Sequence, residues 1–75
     1  MTPQHFKTAL RSYTHRRSFR PFFIELASGD RMLVTHPETV ILRGELWEYV
    51  SPTGRHHVFE SESVIQLLDV PSPAV

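Results

Sequence analysis

The chain has no cysteine, which excludes disulfides and thiolate metal sites and leaves the redox compartment unmarked. No apolar run is long enough to cross a bilayer, and the first residues lack the uninterrupted apolar segment of a secretory leader. A cytoplasmic protein without a membrane partner is therefore expected. No Gly-rich phosphate loop and no nucleophile elbow occur. Two pairs of acids, Glu45 with Glu48 and Glu60 with Glu62, have no apolar neighbourhood in the sequence that would raise a pKa, and a solvated face is the reading they invite. No enzymatic activity and no cofactor are expected.

Acidic residues are also missing from the first twenty positions, which carry Lys7, Arg11, Arg16, Arg17 and Arg20. Positions 21–75 carry three arginines against eight acids, so a formal net charge of zero is divided into +5 and −5. Zero net charge argues against a protein that coats nucleic acid, whereas the division leaves two readings for the basic segment. It is either attracted to the acidic remainder or used to bind an anion.

What is present is one small domain. At 75 residues the chain sits near the length at which a single core only just outweighs chain entropy, so self-association or a bound partner is an expected way to bury more surface. The central stretch, residues 19–37, reads as a strand, a tight turn and a second strand. Ile24 and Leu26 alternate with Glu25, Ser28-Gly29-Asp30 punctuates, and Met32 and Val34 resume the alternation until Pro37.

Before this hairpin, Thr2 is a good N-cap and Pro3 suits the first helical position, which predicts a helix over residues 2–13. Phe6, Ala9, Leu10 and Tyr13 form one apolar stripe on it, expected to dock on the sheet or on a neighbouring subunit. Lys7 and Arg11 share another face four residues apart, an arrangement that repels slightly unless an anion lies against it. Residues 14–18, with Arg16 and Arg17, form a basic connector that is either a solvated loop or an anion-contacting arm. Phe22, Ile24 and Leu26 face one way on the first strand, and Phe23 faces the other, where it could lie under the helix or in a subunit contact.

After the hairpin, Pro37 interrupts strand pairing. Residues 39–50 are strand-forming, with Gly44 permitting either a bend or a hairpin turn. Ser51-Pro52-Thr53-Gly54 is a turn, residues 56–60 a strand, residues 61–63 a single turn, and residues 64–70 the last strand. Residues 71–75 are expected to fray. The resulting class is mainly β with one N-terminal helix, a small SH3-like or Sm-like barrel of five or six antiparallel strands over residues 19–70. The expected core is Ile24, Leu26, Met32, Val34, Val58 and Leu67. Trp47 and Tyr49 share one strand face, where they are either core or interface residues or a platform for a base. His56 and His57 are adjacent on a strand and face opposite ways, which prevents them from chelating one ion as a pair.

The sequence Phe6-x-x-Ala9-Leu10-Arg11, followed by Ile24-x-Leu26-x-x-Gly29 and by aromatic Phe59 before a short turn and a terminal apolar strand, resembles the bacterial Sm-like RNA chaperones of the Hfq family. Rings formed by pairing edge strands of neighbouring subunits, with RNA as partner, are what this resemblance implies, and the small core and unpaired edges make a dimer the next expected form. The family's second glycine in the hairpin is replaced here by Val34, which moves the expected bend to His36-Pro37. Its aromatic-Lys-His motif for uridine-rich RNA reads Phe59-Glu60-Ser61, and a carboxylate at that place repels phosphate, so that site is not carried over. The arginine-rich rim after the helix is matched by Arg11, Arg16 and Arg17. With Lys7 these are the candidate nucleic-acid contacts. The hairpin and its His-Pro-Glu sequel also resemble small uncharacterised bacterial proteins, to which no activity attaches.

Overall fold

In a computed structural model, described here over residues 1–71, one helix and six antiparallel strands form two three-stranded sheets. The helix α1 spans Pro3–Thr14. Thr2 caps it by accepting a hydrogen bond from the His5 amide at 3.1 Å, and Pro3 occupies the first turn where no intrahelical acceptor is lost. The helix thus extends to Thr14, one residue beyond expectation, and the connector begins at His15.

The first sheet has the order β2-β1-β6, built from β1 (Phe22–Leu26), β2 (Arg31–Val34) and β6 (Val64–Asp69). Its hairpin turns at Gly29, whose φ of +94° lies in the left-handed region that a Cβ disfavours. β1 pairs on its other side with β6, and the register shifts between Glu25 and Leu26. The second sheet has the order β3-β4-β5, from β3 (Val40–Arg43), β4 (Leu46–Val50) and β5 (His56–Phe59). Residues 39–50 are therefore a hairpin, turning at Gly44 with φ +62°. Single 3-10 turns, Pro37–Thr39 and Ser61–Ser63, carry the chain from one sheet to the other. The bend expected at His36-Pro37 lies at the first of these crossings.

The closed barrel does not form. Among the described residues no strand pairing joins the two sheets, because Pro37 donates no backbone hydrogen bond and the 3-10 turn at Ser61–Ser63 separates β5 from β6. A shared core joins them, together with the helix and one tyrosine. Phe6, fully buried, packs edge-on against Trp47 and Phe59 of the second sheet, at 4.8 and 5.8 Å between ring centroids. Tyr13, two turns further along, packs on Phe22 of the first sheet at 5.0 Å and donates its hydroxyl to the Leu67 carbonyl. From β4, the Tyr49 hydroxyl donates to the Leu33 carbonyl of β2.

Phe6, Leu10, Phe22, Ile24, Met32, Val34, Val40, Trp47, Tyr49, Phe59, Val64 and Leu67 make up the core. Trp47 and Tyr49 are thus core residues and not an open platform. Two expected core residues differ. Leu26 is half-buried at the end of β1, and Val58 is 61% exposed. On β5 the inward place belongs to Phe59, which is opposite Trp47, while Val58 is opposite Glu48 on the outer face. Phe23 is half-buried on the face of β1 away from the helix, with the Arg31 guanidinium over its ring at 5.9 Å. β5 and β6 end at Phe59 and Asp69, each one residue short of expectation, and of the tail expected to fray, residues 72–75 lie outside the described residues.

Candidate nucleic-acid interface

Docking of Phe6 and Leu10 on the sheets fixes the rotation of α1 and leaves Lys7 and Arg11 exposed on its flank, one turn apart. Arg17, in the connector, is exposed as well. Among the described residues none of these three, nor Arg20, has a carboxylate within ion-pair distance. The strands behave differently: Arg31 pairs with Glu25 at 3.0 Å and Arg43 with Glu48 at 3.4 Å. Among the described residues, direct ion pairing between the basic segment and the acidic remainder is confined to Arg16.

Arg16 is the exception within the basic segment. Its guanidinium donates to the Asp69 carboxylate at 2.6 Å, to the Tyr13 carbonyl at 3.1 Å and to the Arg20 carbonyl at 2.9 Å, and lies 4.8 Å from the Tyr13 ring centroid. One side chain thereby closes the end of α1, folds the connector back and ties both to the last strand. A guanidinium suits this because its fork of donors serves several acceptors at once. The structure therefore places Lys7, Arg11 and Arg17 in solvent and engages Arg16 internally.

A second feature escaped the sequence reading. Glu45, Glu60 and Glu62 come together around an open cleft of about 670 Å³, with Leu42 and Leu46 on its walls and Trp47 among its lining residues. Lys7 reaches its edge. A further cleft of about 390 Å³ shares Leu46 and Glu60 with it and continues past Val58 and Phe59 to Leu26. The sequence signals were the acids beside the Gly44 turn and the Ser61–Ser63 turn, but their convergence depends on strand pairing. Among the described residues no group of three histidines, cysteines or acids is placed to hold a metal ion, and no helix is long and apolar enough to cross a membrane.

Comparison with protein-family models, with curated proteins and with solved structures finds no match to this chain.

Proposed function

We propose that this chain is a non-enzymatic, Sm-like module that contacts the backbone of RNA through its helix and connector and acts as a homo-oligomer. The observation that carries the reading is the exposure of Lys7, Arg11 and Arg17 without carboxylate partners among the described residues, in a protein whose strand arginines Arg31 and Arg43 are paired. The strand order supports the Sm-like part: β2 and β3 follow one another across a single short turn and lie in different sheets, as two halves of one sharply bent strand would. Basic side chains without a base-reading set recognise phosphates and give little sequence preference. Repetition of the patch by subunits of an oligomer raises affinity through avidity.

The test is fluorescence anisotropy with a labelled single-stranded RNA, with light scattering on the same samples to report assembly. Arg11→Glu combined with Arg17→Glu is expected to abolish binding while thermal unfolding stays as in the parent. Arg16 is kept in place because its removal would unlatch Asp69 from the connector. Three phosphate contacts per subunit predict about a twentyfold loss of affinity between about 50 and 200 mM salt. Absence of salt-sensitive binding at low ionic strength removes the RNA reading, and a monomer at high micromolar concentration removes the oligomer.

A second reading, a protein-interaction module, is favoured by a separate observation. Ile41, Leu42, Leu46 and Val58, all in the second sheet, are exposed apolar side chains.

A further inference from the structure

The two connected clefts form a groove that runs along the end of β5. β5 is an edge strand, paired only with β4 among the described residues. Its sequence, His56-His57-Val58-Phe59, has none of the proline, lysine or acidic residues by which exposed edges are kept from pairing. Apolar side chains flank it: Val58 and Leu46 on the outer side, and Leu26 across the groove at the end of β1. The rim is acidic, with Glu45, Glu60 and Glu62 against the single ammonium of Lys7.

We infer that this groove takes an extended segment of another protein that bears both basic and apolar side chains, adding as a strand along the free edge of β5. The inference rests on the interaction-module reading and names its partner. Backbone hydrogen bonds to β5 supply a register, apolar side chains cover Val58 and Leu46, and basic ones reach Glu45 and Glu60.

A second copy of the chain is a poorer occupant on charge. Its β6, Val64–Asp69, has no basic residue and ends on an acid. Its basic connector is held in its own fold by Arg16 and by Phe19, which packs against the core. A phosphate backbone is disfavoured within the groove by the same three carboxylates, whereas Arg11 and Arg17 are not among its lining residues. Subunits of the proposed oligomer would then meet away from β5, and exposed Ile65 on β6 offers a contact there.

The probe is a fluorescein-labelled peptide of alternating lysine with valine or threonine, titrated into the full chain, with a glutamate-for-lysine counterpart as control. Only the lysine peptide is expected to bind. Glu45→Lys combined with Glu60→Lys, both at exposed positions, should weaken it by about tenfold or more. Val58→Glu, also at an exposed position, should weaken it without unfolding the chain. Hydrogen exchange followed by NMR should show amides of β5 slowed by the peptide. Failure of the folded chain to bind, or binding indifferent to the paired lysine substitutions, overturns the inference. Protection of β5 that grows with chain concentration in the absence of peptide also overturns it, in favour of a second copy, and in that case the interaction-module reading survives.

Discussion

Phe6→Ala is expected to lower the free energy of unfolding by about 3–5 kcal/mol, the range for deleting a fully buried phenylalanine. Phe6 has no exposed surface, and its ring meets the aromatic faces of both Trp47 and Phe59. The void left by alanine would be bounded by rigid rings that cannot collapse into it. A domain of this size holds on the order of 4–11 kcal/mol in total, so the variant should be largely unfolded well below the parent's melting temperature. Urea denaturation measures the loss. A change below about 1 kcal/mol would mean that the helix is not docked on the second sheet, since surface substitutions fall in that range.

Tyr49→Phe is expected to cost about 1–3 kcal/mol through a different mechanism. Its hydroxyl donates to the Leu33 carbonyl and so ties the second sheet to the first. Phenylalanine keeps the packing and leaves the carbonyl without its donor. The tyrosine also adds an alkaline signature. Burial raises the Tyr49 pKa above its ordinary value of 10.0. The unfolded chain therefore releases this proton at lower pH than the folded one, and ionisation favours unfolding. The stabilisation is complete below about pH 10 and is lost as pH rises through the folded-state pKa. Parent stability should accordingly fall more steeply than that of Tyr49→Phe as pH rises above about 10, with contributions from the other titrating groups cancelling in the comparison. Parallel pH profiles for the two proteins would rule out the buried hydroxyl as a titrating support.

Elements whose signals are local were legible in the sequence. The Thr2-Pro3 start of the helix, the glycine turn at position 29 and the break at His36-Pro37 each depend on backbone chemistry within a few residues, and each lies where expected. The core phase of β5 was not legible, because Val58 and Phe59 are adjacent apolar residues and either phase satisfies alternation. Pairing with Trp47 chooses Phe59, and that partner is distant in sequence. Arg16 shows the same limit at the candidate site. In sequence it is one cation in a basic run beside Arg17, yet its acceptor Asp69 is 53 positions away and makes it a latch. The acidic groove is likewise assembled from two turns distant in sequence, so Glu45, Glu60 and Glu62 read by themselves as solvated residues.

The pairing of β1 with β6, and the position of Phe6 against Trp47 and Phe59, set an order of events during synthesis. The helix leaves the ribosome before either sheet and has nothing to lie on until the second sheet has emerged. β1, the central strand of its sheet, lacks one neighbour until β6 has emerged. Contacts of such long sequence separation slow folding relative to a helical domain of equal length. Throughout that interval Phe6, Leu10, Phe22, Ile24 and Val34 face solvent, and nascent chains on one messenger are close enough to meet through them. The first twenty residues carry five positive charges and no acid, so like charge on this segment opposes contact between unfinished chains while their apolar residues are uncovered.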